Sequence, residues 1–361
     1  MASTSMRDRA FSMKSHLARI LAFAAIAVLQ SPSPDAGAAD ERAAPAESAK
    51  EQKFAGSELQ LLIENDLFAG TDRHYTSGIK LGFGAPVEIL QQILGTPSTW
   101  VLDRFSYDAA RPQFGLFAGQ NIYTPRRIGV REAQPFDRPW AAWLYLGGVA
   151  QRADSSRLDT VELDVGVVGP AALGEEVQTE WHELIGSPRP LGWHNQIPNE
   201  PAFLLTYLHK RKFRTEHVEL VPHAGATVGT VMTLARAGGI VRAGRNMTGF
   251  GPNSIEPGGT LLQNTRRKHE GEARKDFEWY GFVGTDLRLV ARNIFLDGTM
   301  FRESPRVDSR DYVYDLTFGV SVRYQQLRVS LTRLRRSEEF TTPLGGGGKQ
   351  TFDSLNVGFE F

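Results

Sequence analysis

The chain has 361 residues, a formal net charge of zero and no cysteine. These totals remove the global electrostatic case for nucleic acid and any role for disulfides or thiol chemistry. Length alone permits one large domain or two average ones, and 36 glycines with 10% aromatics in short alternating runs favour an all-β chain. The negative mean hydropathy is compatible with a membrane barrel, whose polar interior leaves only about half of each strand apolar.

Residues 1–39 read as a secretory signal peptide. Arg7, Arg9, Lys14 and Arg19 precede an apolar core from Leu21 to Leu29, and Ala36–Ala39 offers small residues for cleavage. That core is too short for a spanning helix, which needs about 20 residues; an uncleaved anchor is the alternative. Residues 40–56, rich in Ala, Glu and Lys, read as a disordered spacer.

From residue 57 the texture changes. Leu59, Leu61 and Ile63 alternate with Glu58, Gln60 and Glu64, the period-2 signal of a strand with one apolar face. Asp66 continues the polar face and is expected to point inward, whereas Asn65 falls on the opposite parity. The stretch Glu64–Gly78 packs carboxylates, a carboxamide, hydroxyls and a histidine into a few residues. Oxygen donors this dense suit a hard cation such as calcium. The same stretch also reads as a polar hairpin loop with Gly70 and Asp72 as turn formers.

Strands are expected at about 75–83, 113–123, 140–150 and 161–167. Residues 169–200 then break the alternation. Gly169-Pro170 ends a strand, Ala171–Ile185 is rich in helix formers, and Gly186, Pro188 and Pro190 stop the helix. Gln178 and His182, spaced i, i+4, share one of its faces. Further strands are expected at about 201–213, 216–230, 231–244, 276–290, 311–324, 326–336 and 351–361. The clearest runs from Tyr312 to Tyr324, with tyrosines at both ends of an aliphatic face and Asp315, Thr317, Ser321 and Arg323 on the other. That pattern matches an outer-membrane strand with its aromatic girdles.

The fold class expected is therefore all-β: over 57–361, a transmembrane antiparallel β-barrel of about 12 strands, with a short helix in an extracellular loop. With the first strand running outward, loops 67–75, 123–139, 169–200, 291–310 and 337–350 lie on the extracellular side. Asn65, Asp66 and the His182 insert then share one rim. His74, His194, His209, His217 and His223 read as surface or lumen residues.

Several blocks occur in order: Glu64-Asn65-Asp66-Leu67-Phe68, Thr71-Asp72-Arg73-x-Tyr75-Thr76-x-Gly78, Gly119-Gln120-x-Ile122-Tyr123-Thr124-Pro125, Arg138-Pro139-x-Ala141-x-Trp143-Leu144-Tyr145, Gly166-x-Val168-Gly169-Pro170, Gln178-x-x-x-His182, and Val290–Gly298. Together they resemble the outer-membrane lipid A deacylase family, specifically the 3′-O-deacylases. The resemblance implies a twelve-stranded barrel that removes the 3′-linked acyloxyacyl group of lipid A and depends on Ca2+. It implies a site between the barrel wall and a helix at the outer rim. By motif, Asn65 and Asp66 match the family's Asn-Asp pair, His182 its histidine and Thr76 its Thr or Ser. A family lysine falls near Gln120-Asn121, where this chain has none, which leaves the oxyanion arrangement open.

The residue types suit ester hydrolysis. Water needs a base near neutrality, the usual role of histidine. A cation held by Asp66 would act as a Lewis acid, with Asn65 and Thr76 orienting water or donating to the oxyanion. No Gly-x-Ser-x-Gly elbow supports a serine mechanism. The expected partners are lipopolysaccharide as substrate and the outer membrane, with a monomer expected and no nucleic acid. An outer-membrane phospholipase, or a non-enzymatic porin-like barrel, are the alternatives.

Overall fold

The computed structural model describes residues 56–66, 74–86, 112–252, 254–255, 276–343 and 345–361. The expected signal peptide, the spacer up to residue 55, loop residues 67–73 and the connection 87–111 lie outside the described residues.

Twelve long strands form the wall. They are β1 (Glu58–Asn65), β2 (His74–Pro86), β3 (Pro112–Thr124), β4 (Ala141–Ala153), β5 (Arg157–Val168), β6 (Glu200–Arg211), β7 (Val218–Gly229), β8 (Met232–Arg245), β9 (Phe277–Asn293), β10 (Tyr312–Tyr324), β11 (Leu327–Arg336) and β12 (Gln350–Glu360). Sequence neighbours pair antiparallel, and β12 pairs with β1 from Glu360 opposite Glu58 to Asp353 opposite Asn65. The sheet closes on itself, so every long strand has a partner on both sides and no edge is left to be satisfied in lipid.

The pleat sorts the side chains. On β10, Tyr312, Tyr314, Leu316, Val320, Val322 and Tyr324 are exposed, while Val313, Asp315, Ser321 and Arg323 between them are buried. Leu81, Leu116, Leu146, Leu163 and Val165 continue the exposed apolar belt across β2 to β5. The inward faces carry charge, and many of these charges are paired, because a buried isolated ion is penalised. Lys80 Nζ donates to Glu162 at 2.8 Å, Arg323 and Arg328 donate to Glu278, and Arg336 donates to Asp315.

The rim at which β1 ends is here called the upper rim. By connectivity it carries the segments 66–73, 125–140, 169–199, 294–311 and 337–349, close to the loop set expected from strand parity. The β7–β8 connection at this rim is only residues 230–231. The segment after β8 starts at the lower rim and turns back into the lumen. Arg242 donates to the Thr248 and Gly249 carbonyls, Phe250 packs on Leu158 and Val221, and the Ile255 N–H donates to Glu64 near the upper rim. The sequence carried no signal for this inward segment, since its residues lack strand or helix periodicity.

Glu278 is fully buried between two guanidiniums and also accepts from Thr248 Oγ1 at 2.6 Å. Glu278→Ala leaves Arg323 and Arg328 without that charge, a change worth about 3–5 kcal/mol for a buried pair. The intact protein is expected to migrate as a heat-modifiable barrel in mild detergent gels. The variant should convert to the unfolded band at a distinctly lower temperature; identical conversion curves would show that the network carries no stability.

Candidate active site

The site is built first from strand pairing. Asn65 ends β1 on the parity of Leu59, Leu61 and Ile63, the outward one, and pairs with Ser77. Asp66 follows it, buried, with its N–H donating to the Thr76 carbonyl at 3.3 Å. Thr76 is the extra residue of a bulge, because the β2–β3 register steps from Tyr75 opposite Tyr123 to Ser77 opposite Ile122. A one-residue slip exchanges the two faces of a strand. Tyr75 is thereby carried into the lumen, where its hydroxyl donates to Glu64 at 2.9 Å. Thr76, which simple alternation would place with Lys80, instead shares a 2.7 Å hydroxyl hydrogen bond with Thr124, on the outward parity of Gln120 and Ile122.

Contacts from distant parts of the chain also hold this bulge. The Tyr75 N–H, lost to the ladder, donates to Gln350 Oε1 at 3.1 Å on β12. Gln350 is bonded in turn to Glu339, which accepts from the buried Arg138 at 3.2 Å. His74 sits at φ 72°, in the left-handed region that costs a non-glycine residue energy, with its ring edge-on to Phe340. Behind the bulge, inside the lumen, Tyr123 stacks on Phe295 with centroids 4.0 Å apart, and Tyr75 lies 5.3 Å from Tyr123 and 4.9 Å from Phe352. Phe295 comes from α2 (Ile294–Asp297), whose start is fixed by the Asn293 side chain, which accepts from the Phe295 N–H, and by Asp297, which accepts from the Asn293 N–H. The Ile122–Thr124 and Val290–Gly298 blocks thus meet in one aromatic cluster.

The outer side of the wall is covered by the insert between β5 and β6. Helix α1 (Gly174–Ile185) follows a short helical turn at Pro170–Ala172 and a left-handed Leu173. Glu175 and Glu176 in its first turn suit the positive end of the helix dipole. Gly186, at φ 70°, ends it, donating its N–H to the His182 carbonyl. Gly174, Gln178 and His182 form the buried stripe, and the helix packs on β3 and β4. Gln178 accepts from Trp193 Nε1 at 2.8 Å, and Trp193 packs on Trp140, Ile122 and Ala142. His182 is 4% exposed, and its Nδ1 lies 2.7 Å from the Pro188 carbonyl oxygen. A carbonyl only accepts, so Nδ1 carries the proton and Nε2 is the basic nitrogen of the neutral ring.

Asn65, Asp66 and Thr76 are therefore joined through β1 and β2, and the His182 helix lies over β3 and β4, next along the wall. Gln120, where the family lysine was expected, faces outward beneath the insert and donates to the Ala172 carbonyl at 2.6 Å. Reasoning from sequence alone missed Thr124, Gln350 and Trp193. Thr124 had a signal, since it shares the outward parity of Ile122; Gln350 had none, because it depends on barrel closure. The donors gathered at β1–β2 are carboxylate, carboxamide and hydroxyl oxygens. This class fits a hard cation such as calcium and does not favour a thiolate- or imidazole-seeking metal. Among the described residues no three His, Asp or Glu side chains converge as a metal cluster, so neutral oxygens would have to complete such a shell.

A closed antiparallel barrel with an apolar outer belt, a charged lumen and a helical insert packed on its outer wall at one rim defines an outer-membrane β-barrel with a candidate site at that rim. The family model for outer membrane protein LpxR matches residues 21–361. The chain belongs to that family, the one its ordered motifs resemble. LpxR from Salmonella typhimurium superposes with a TM-score of 0.67 at 23% identity, over 84% of this chain and all of that one. The β domain of the Bordetella autotransporter BrkA gives a TM-score of 0.40 at 10% identity, over 84% of this chain and 98% of that one. The NanC porin gives 0.35 at 6%, over 84% of this chain and 100% of that one. No curated protein matches the chain.

Gly174 seats the helix. A Cβ there would lie 2.5 Å from Ala142 Cβ and 2.6 Å from the Trp193 ring. Gly174→Val should lift α1 from the wall, at a cost of about 1–3 kcal/mol for overpacking. A glutamate-specific protease should then cut within 175–183 about tenfold faster, with heat-modifiability retained. Unchanged cleavage would show that the helix does not depend on this contact.

Proposed function

We propose that the chain is an outer-membrane esterase that hydrolyses the 3′-O-linked acyloxyacyl chain of lipid A, with its upper rim facing the cell surface. Family membership supports the reaction class. The observation that carries the residue assignment is the buried His182, held by Pro188 as the tautomer whose Nε2 is basic, beside a wall that bears Asn65, Asp66 and Thr76.

In this reading a water at the helix–wall junction loses a proton to His182 Nε2 as its oxygen bonds to the ester carbonyl carbon. The tetrahedral intermediate then collapses, the ester C–O bond breaks, and the imidazolium returns the proton to the sugar oxygen that leaves. Asn65 and Thr76 orient the water or donate to the oxyanion. Asp66 would hold calcium with oxygen from Asn65, and the ion would supply the positive charge that the oxyanion needs. Gln120 keeps its amide on the Ala172 carbonyl, so the oxyanion role of the family lysine is not assigned to it. The lumen supports rim chemistry over passage: the inward residues 247–250, the Ile255 backbone and the Tyr123–Phe295 stack occupy it.

His182→Ala should lower kcat by about 10²–10⁴-fold, the worth of a positioned base. His182→Gln should not restore it, since a carboxamide takes no proton, and both variants should lose the acid limb of the pH–rate profile. A helix that merely packed through His182 would instead show a folding or KM defect with that limb intact. Measuring kcat and KM across pH 5–9 separates the two.

Acyl release from lipid A and from a glycerophospholipid, with and without chelator, tests the substrate and the metal together. Release is expected from lipid A alone, abolished by chelation and restored by calcium. Asp66→Ala should lose that calcium-dependent activity and still migrate as a folded barrel; wild-type turnover with unchanged calcium dependence would remove Asp66 from the site.

A further inference from the structure

Helix α1 has three faces. At about 100° per residue, the wall stripe of Gly174, Gln178 and His182 is flanked by a second stripe of Val177, Trp181 and Leu184, centred roughly a quarter-turn away. These side chains are 43%, 36% and 69% exposed. Glu175, Glu176, Glu180 and Glu183 occupy the remaining face. An amphipathic surface helix normally buries its one apolar stripe. Here the buried stripe is a glycine, an amide and an imidazole, and the larger apolar stripe is uncovered.

The strand register shows what lies next to it. The insert covers Ile122 and Ala142, which are paired and buried on the outer wall. The next outward pair along the strands is Gln120 with Leu144, partly covered. The pair after that is Ala118 with Leu146, both exposed, and Leu146 is 65% so. Each step is about 7 Å, so the helix borders directly on the lipid-facing belt. A helix with an exposed apolar stripe of Val177, Trp181 and Leu184, bordering such a belt, has the form of an interfacial membrane helix. Its polar face is acidic and gains nothing from anionic headgroups, so apolar area provides the attachment.

We propose that α1 lies in the membrane interface, with Val177, Trp181 and Leu184 immersed among the acyl chains of the leaflet at the upper rim. The His182 edge of the site then opens sideways to lipid. This deepens the proposed function by presenting the substrate within the plane of the membrane, and it rests on that function only for the identity of the lipid.

The chain has no cysteine, so single cysteines can be nitroxide-labelled without altering the background. The full barrel, placed in phosphatidylcholine vesicles, is labelled at Val177→Cys, Leu184→Cys, Leu146→Cys, Glu180→Cys and Glu183→Cys, with heat-modifiability confirming the fold. In power-saturation measurements, labels at 177 and 184 should collide more with oxygen than with a water-soluble nickel chelate, as at 146. Labels at 180 and 183 should show the reverse. The proposal is overturned if 177 and 184 match 180 and 183, or if they are shielded from both reagents, as in a contact between two copies. A second arm uses the double variant Val177→Glu/Leu184→Glu. Its acyl release should fall about tenfold with lipid A in vesicles and stay unchanged in detergent micelles; equal rates in vesicles, or equal loss in both, would also overturn it. If the unaltered protein releases no acyl chain, the hydrolase reading fails while the label data still decide the position of the helix.

Discussion

The extra residue at Thr76 decides which side of the wall the polar groups of β2 occupy. A barrel strand offers only two environments, and alternation assigns each side chain to one of them. Without the bulge, Tyr75 would face lipid and Thr76 the lumen. With it, Tyr75 joins Tyr123 and Phe352 inside, and Thr76 bonds to Thr124 on the outer face. Asn65, on the outward parity of β1, pairs beside it. Polar groups are thus delivered to the outside of a membrane protein, where a regular strand would have placed apolar ones.

That placement creates a debt in solvation that the insert removes. Gln120 and Thr124 on the outer wall could not keep bare amide and hydroxyl groups against hydrocarbon, where an unsatisfied polar group costs several kcal/mol. The turn at Ala172 accepts from Gln120, and Thr76 satisfies Thr124. The tryptophans at 140 and 193 then seal Ile122 and Ala142 beneath the insert. The long interruption of strand periodicity after Gly169 and the polar outward residues on β3 are two aspects of one requirement.

Much of this was legible in the chain. The strands, their even number and the rim that collects the long connections followed from alternation, because one face must meet lipid and the other must not. The helix ending at Gly186 followed from composition and punctuation, and the ordered motifs identified the family. What stayed hidden depends on pairings distant in sequence. Parity read residue by residue places Thr76 with Lys80, since a bulge leaves no mark in hydrophobic patterning. The bond from Tyr75 to Gln350 spans the first and last parts of the barrel. The inward path of residues 246–252 and 254–255 is set by Arg242, Glu278 and Glu64, each of which looks in sequence like any other lumen charge.

The same long-range bonds link the site to closure of the barrel. His74 in the left-handed region costs on the order of 1–3 kcal/mol, and a single hydrogen bond returns only about 1 kcal/mol net. No one anchor would hold the bulge against relaxation to a regular strand. The anchors come from different places: Glu64 on β1, Thr124 on β3, Gln350 on β12 and Phe340 in the last upper loop. β12 reaches Tyr75 only when it has paired with β1. The outward turn of Thr76 is therefore a property of the closed barrel and not of the β1–β2 hairpin. An enzyme built this way would assemble its rim only on completing insertion, where the lipid on which it is proposed to act is already against its outer wall.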